Sequence, residues 1–162
     1  MTKLYIGIDP GITGAIGFLF GDQLPEVIDV PTYLDSLHNR PQYDFRKMFK
    51  EIAHYTTAYS LYIALEQQQA MPQQGVSSTF KTGRGYGAWQ ALCAVITNDV
   101  TLVSPRVWKK FLGLTKDKEM SRLRAIELFP NLADALDRKK DHNRAEALLL
   151  AHYLKYFKEK SE

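Results

Sequence analysis

The chain has 162 residues, 45% of them hydrophobic and 24% charged, with a formal net charge of +3. That length suits one α/β domain over residues 1–162, and the apolar fraction supports a packed core rather than wholesale disorder. No stretch approaches the ~20 apolar residues of a membrane span, the opening "MTKLYIGID" lacks a secretory leader pattern, and the lone Cys93 excludes an internal disulfide and a cysteine-built metal site. A cytoplasmic compartment is the default expectation.

Three short apolar runs, "KLYIGID", "TGAIGFLF" and "PEVIDVP", read as strands joined by tight turns, the second at "GDQLP"; together they predict an antiparallel meander. Phe45, Met48, Phe49, Ile52 and Ala53 recur at helical spacing and predict an amphipathic helix. "SLYIALE" is a fourth strand ending in Glu66. A long polar loop is expected over 67–85, a length that in a compact domain usually marks function. A helix from "YGAWQALCAVIT", with Cys93 as a core thiol, precedes a fifth strand, "DVTLVSP". Pro105 opens a short helix, "KEMSRLRAIELFP" forms another, and "DHNRAEALLLAHYLKYFKEK" closes the chain. The order predicts an α/β fold, a mixed five-stranded sheet with an antiparallel meander, parallel strands and helices on both faces.

Four acids stand at element ends. Asp9 ends the first strand, Glu66 ends the fourth, and Asp141 and Glu146 lie at the start of the last helix. Each has an ordinary reading: Asp9 as a turn residue, Glu66 as a surface acid, Asp141 as a helix cap, Glu146 as half of an ion pair. Strands one and four can be neighbours whose C-terminal ends share an edge, and the last helix can cross that edge. Converging carboxylates repel unless cations neutralise them. Mg²⁺ or Mn²⁺ does so with oxygen ligands, and two such ions about 4 Å apart suit phosphodiester hydrolysis. Basic clusters at Lys81 and Arg84, over 106–110 and in "TKDKEMSRLR" favour a polyanionic partner.

The segments "IGIDPGITGAIG", "ALEQQQAMPQQG", "GRGYGAWQAL", "SPRVWKKFLGL" and "DHNRAEALLLAHY" together resemble the RuvC-type Holliday junction resolvases of the RNase H-like superfamily, in the family's order and at its size. The closing motif is more similar to chloroplast and phage-like resolvases than to the common bacterial form, in which two aspartates lie three apart. Here Glu146 takes the last acid's place and Asn143 the position three before it. The resemblance implies Asp9, Glu66, Asp141 and Glu146 as catalytic metal ligands, with Asn143 a further candidate. The choice among Asp141, His142 and Asn143 stays open. It also implies two Mg²⁺ per site and a homodimer cutting a four-way DNA junction symmetrically, in a cytoplasmic or other DNA-containing compartment, with Trp89 and Leu92 as candidate interface residues; a wholly internal core role for these two is the equal alternative.

Phosphate contacts are expected from Lys81, Arg84, Lys109 and Lys110. Gln68 is a candidate for polar contact with DNA, and Met71 and Phe80 for stacking on an unpaired base; a small core beneath the loop is the alternative for Phe80. Two other functions compete. An actin-like ATPase or kinase fragment would use "DPGITG" on phosphate, but 162 residues lack room for a second lobe, and no nucleotide cofactor is expected. A junction-binding protein without cleavage would fare better without concentrated acids.

Overall fold

The structure, a computed structural model, describes residues 1–21 and 23–161. Strands β1 (Thr2–Ile8), β2 (Ala15–Phe20) and β3 (Glu26–Asp29) form the expected antiparallel meander; residue 22 of the second predicted turn lies outside the described residues. A short exposed hairpin follows, β4 (Thr32–Leu34) paired with β5 (Pro41–Tyr43). Helix α1 (Phe45–Ala53) starts at Asp44, whose carboxylate accepts the Lys47 N–H at 2.9 Å, the usual device for satisfying an orphan donor. Then come β6 (Tyr59–Glu66), α2 (Val76–Ile96), β7 (Val100–Val103), α3 (Pro105–Phe111), α4 (Lys118–Leu128) and α5 (His142–Glu159). The main sheet is five-stranded in the order β3-β2-β1-β6-β7, with β1–β6 and β6–β7 parallel. The mixed sheet read from the sequence is therefore present.

The pleat of β1 sorts its side chains between two cores. Leu4, Ile6 and Ile8 meet Met48, Ile52, Trp89 and Cys93 from α1 and α2. Tyr5 joins Trp108, Leu148 and Leu149 on the opposite face. Cys93 is buried, and desolvation pushes its thiol up to about 12, as expected of a packed thiol rather than a nucleophile.

Helix α2 differs from its expected extent. It begins at Val76, so the loop covers only 67–75 and the helix absorbs Gly83 and Gly85. These glycines resemble breakers, yet Gly85 has a packing reason: a Cβ there would strike the Tyr43 ring. Tyr43 in turn donates its hydroxyl to the Pro10 carbonyl at 3.1 Å, tying the β4–β5 hairpin to the loop that follows β1. The hairpin itself, short and largely exposed, carries no pattern that predicts it.

Helix α5 lies directly on the backbone of β1 and β2. Gly7 and Gly17 are register partners, and both face this helix. A Cβ on Gly17 would stand 2.8 Å from the Leu148 nitrogen, so only hydrogen fits there. From Ala145 to Ala151 the helix is buried on every side, because α4 covers its outer face with Ser121 and Ala125 buried. Among the described residues no helix is long and apolar enough to cross a membrane. Gly17→Ala is expected to cost about 1–3 kcal/mol, the usual range for overpacking, because rigid backbone rather than a movable side chain blocks the added methyl. Urea unfolding of the purified variant measures this; an unchanged midpoint would contradict the seating of α5.

Candidate active site

Parallel pairing aligns the ends of β1 and β6, so Asp9, one residue past β1, and Glu66, the last of β6, reach the same edge. Helix α5 adds Glu146 from its first turns. Asp9 is held in an Asx turn, its Oδ1 accepting the Gly11 N–H at 3.2 Å. Glu66, 8% exposed, accepts the Trp108 indole N–H on Oε2 at 2.8 Å and the Gln68 amide on Oε1 at 3.4 Å. Glu146, also 8% exposed, receives the Lys109 ammonium on Oε1 at 2.7 Å, with the buried Ser121 hydroxyl 3.5 Å from the same oxygen.

These three carboxylates interact with one another electrostatically. Asp9 is pushed up to about 6, mainly by desolvation, against the Gly11 hydrogen bond and with the Glu146 charge adding to the rise. Glu66 is pushed up to about 7 by desolvation and then by the Asp9 charge, opposed by its Trp108 bond and raised further by Glu146. Carboxyls forced this high are short of positive charge. Lys109 supplies one cation to Glu146, whereas no cationic side chain within the described residues hydrogen-bonds Asp9 or Glu66. Hard oxygen donors in charge deficit suit Mg²⁺ or Mn²⁺. Among the described residues no three His, Cys, Asp or Glu side chains already form a group that could hold a metal ion, and the ammonium of Lys109 occupies Glu146.

Asp141, expected to bring the fourth carboxylate, is placed in a different network. It is 3% exposed and accepts the Arg138 backbone N–H at 2.9 Å and the Arg138 Nη2 at 2.7 Å. Arg144 approaches it at 3.9 Å while gripping Asp29 through both carboxylate oxygens at 2.7 Å. The Arg138 hydrogen bonds hold the Asp141 carboxyl below its ordinary range. Asp141 thus anchors the turn into α5 through arginine partners of its own. The neighbouring triplet positions divide the remaining roles. Asn143 donates its amide to the Thr13 carbonyl at 2.6 Å, bracing the Asp9 loop. His142 is close enough for its charge to act on Asp9, and its Nδ1 lies 2.9 Å from the Lys139 carbonyl. A carbonyl only accepts, so Nδ1 is the donor of this contact.

The remaining sequence candidates scatter around this edge. Lys81 lines a cavity of about 150 Å³ with Pro10, Tyr43 and Gln68. Arg84 stacks over Phe45 and reaches Gln42 at 3.4 Å. Lys110 is exposed on a groove shared with Arg106 and Lys116. Gln68 and Met71 line a larger groove of about 570 Å³ with Tyr86 and Arg106. Phe80 is 70% exposed on α2, which removes the alternative of a small core under the loop. Trp89 is 0% exposed within the core, the internal of its two readings; Leu92 packs partly against the same core. Sequence reasoning passed over three contributors: Trp108, Ser121 and Lys118, whose charge acts on Asp9. Trp108 and Ser121 fall on ordinary apolar-periodic positions, where only the folded neighbour reveals a polar task.

No family model matches the chain. A stretch of 94 residues, 57% of the chain, is 34% identical to the chloroplastic Holliday junction resolvase MOC1 of Chlamydomonas reinhardtii, and the match spans 11% of that relative's length. A solved structure of T. thermophilus RuvC in complex with Holliday junction substrate superposes with a TM-score of 0.55 at 17% identity, covering 96% of each chain. A second Thermus thermophilus RuvC structure gives 0.50 at 21% identity, over 96% of this chain and 97% of that one. The sheet order, the helix laid across the strand ends and these superpositions make the fold that of RuvC.

Proposed function

We propose that the chain is a metal-dependent endonuclease that resolves four-way DNA junctions by symmetric phosphodiester hydrolysis, acting as a homodimer in a DNA-containing compartment. The observation that carries the reading is the meeting of Asp9, Glu66 and Glu146 at one sheet edge, two of them raised to about 6 and about 7. The name of the Chlamydomonas relative and the junction-bound RuvC neighbour support the substrate. Asp9, Glu66 and Glu146 would hold the metal, with His142 as a further candidate beside Asp9. A pair of Mg²⁺ or Mn²⁺ ions held there would supply an activated water and charge for the leaving oxygen.

The chain's own residues prepare this chemistry. Gly11 fixes the Asp9 rotamer, Trp108 fixes Glu66, and Lys109 neutralises Glu146 until another cation arrives. A DNA phosphate competes for the Lys109 ammonium, so substrate binding frees Glu146 for metal. Lys81, Arg84 and Lys110, together with Lys116 and Lys118, offer phosphate contacts on either side. For the dimer, the outward face of α2 is suited to close approach: Gly83 and Gly87 have open space where a Cβ would be, and Ala91 and Val95 continue the exposed row. Two equivalent strands in a junction match the two sites of an isologous pair.

A second reading, a junction-binding protein that does not cut, draws on the Lys109–Glu146 pair and on the lack of a ready-made three-ligand group among the described residues. Incubation with end-labelled four-way junction separates the two: paired symmetric nicks that require Mg²⁺ and vanish in chelator support cleavage, and binding without nicks supports the second reading.

Asp9→Asn and Glu66→Gln are expected to abolish nicking while leaving junction affinity equal or stronger, since each removes a negative charge near phosphate; nicking at the parental rate refutes the assignment. Lys109→Met keeps the apolar stem and removes the ammonium. It should raise Mn²⁺ affinity of the DNA-free protein, read by calorimetry, and lower the salt slope of junction binding by about one. The raised Glu66 carboxyl also sets a stability profile. A carboxyl that titrates higher when folded binds protons more tightly in the native state, so its contribution is greatest at low pH and declines from its unfolded value near 4.5 to about 7. In chelator, Glu66→Gln should therefore flatten the loss of thermal midpoint between pH 5 and 8. Its gain at pH 8 should be of order 3 kcal/mol, since each tenfold displacement of a proton equilibrium is worth about 1.4 kcal/mol; an unchanged profile would count against the buried charge deficit.

A further inference from the structure

Helix α3 has seven residues, and two of its consecutive side chains reach two different carboxylates of the site. Trp108 takes Glu66 and Lys109 takes Glu146. Lys109 can exchange its partner with a phosphate, but Trp108 cannot. Its indole is 0% exposed, enclosed by the second core with Val103, Ala125 and Leu149, and its N–H can only donate. The bond of 2.8 Å to Glu66 Oε2 is therefore built into the core rather than assembled at the surface.

The second tryptophan provides the contrast. Trp89 is equally buried, and its Nε1 has no hydrogen-bond partner among the described residues. Burying an indole in this fold does not by itself require a carboxylate partner. The Trp108 bond has a different consequence: it occupies one Glu66 oxygen and fixes the plane of the carboxylate, leaving Oε1 with only a long 3.4 Å contact from the Gln68 amide. Oε1 is the oxygen open to a new ligand.

We propose that Trp108 is a positioning residue for metal binding, whose indole N–H holds the Glu66 carboxylate so that its second oxygen is presented to a divalent cation. The inference rests on the metal-dependent reading above and adds a residue to it. Hydrogen-bonding partners of metal ligands commonly control metal affinity or activity by 10–100-fold when removed. Trp108 would act entirely through Glu66, without touching DNA.

The test uses the full chain and MnCl₂ without DNA, followed by calorimetry. Trp108→Phe keeps an aromatic ring in the core and deletes the N–H; Trp89→Phe is the matched control for core disturbance. Trp108→Phe is expected to weaken Mn²⁺ binding by about 10-fold or more, with Trp89→Phe near the parental value. Junction affinity in chelator should stay within about twofold for Trp108→Phe, because no phosphate contact is lost. Equal Mn²⁺ affinity for Trp108→Phe and the parent overturns the proposal, and so does equal weakening by both variants, which would trace the effect to packing. A parent that binds no Mn²⁺ removes the metal-dependent reading and this inference with it. The parental protein supplies a readout that needs no folded Trp108 variant. It has two tryptophans, so Trp89→Phe assigns the two indole N–H resonances in a ¹⁵N-labelled sample. On titration with Mg²⁺ the Trp108 resonance should shift and that of Trp89 stay in place; a stationary Trp108 resonance overturns the proposal.

Discussion

The contact on which the rest of the molecule depends is the seating of α5 on bare backbone at Gly7 and Gly17. A helix separated from a sheet by ordinary side chains would stand further out, and Glu146 would move away from Asp9 and Glu66. Instead Ala147, Leu148 and Ala151 rest against the two glycines, and α4 closes over the outside. The acid on the helix is therefore positioned by the core, the stiffest part of a protein. Asn143 and the Asp141–Arg138 anchor add a second restraint at the helix start, one bonding the Asp9 loop and the other fixing the turn.

Close approach has an electrostatic consequence. Burial at this edge raises the proton affinity of Asp9 and Glu66, the Glu146 charge adds to both, and the fold supplies only partial relief through Lys109. Such a site is poised to accept cations, and its unmet charge is a source of binding energy rather than a defect. The relief comes from α3, which also supplies the Trp108 donor. One short helix, started by Pro105, thus sets the condition of two carboxylates that belong to a strand and to another helix. The Lys109 Nζ lies 5.2 Å from the Trp108 ring centre, so the two functions share a single patch of α3.

Much of the architecture was legible because its signals are local. The meander, the strand ending at Glu66 and the amphipathic pattern of α1 follow from apolar period and turn residues, and Asp9 and Glu66 stand where those strands end. The extent of α2 was not legible for a physical reason: a glycine that admits a neighbouring ring looks the same in sequence as one that ends a helix. Asp141 has partners that its spacing does not reveal. Its position five before Glu146 is compatible with sharing a site, but Arg138, three residues earlier, reaches it first. Trp89 was open in sequence between an interface and the core, and its burial is that of a core residue.

By itself, then, the amino-acid order determined the α/β class, the five strands of the main sheet and the placing of acids at strand and helix ends, since each depends on residues close together along the chain. Only the tertiary structure decided which acids meet, which cation answers them and which tryptophan hydrogen-bonds a carboxylate. Those outcomes join residues as far apart as Trp108 and Glu66 or Lys109 and Glu146. They depend on strand register and on the depth at which α5 seats, quantities that the packing of the whole molecule sets together.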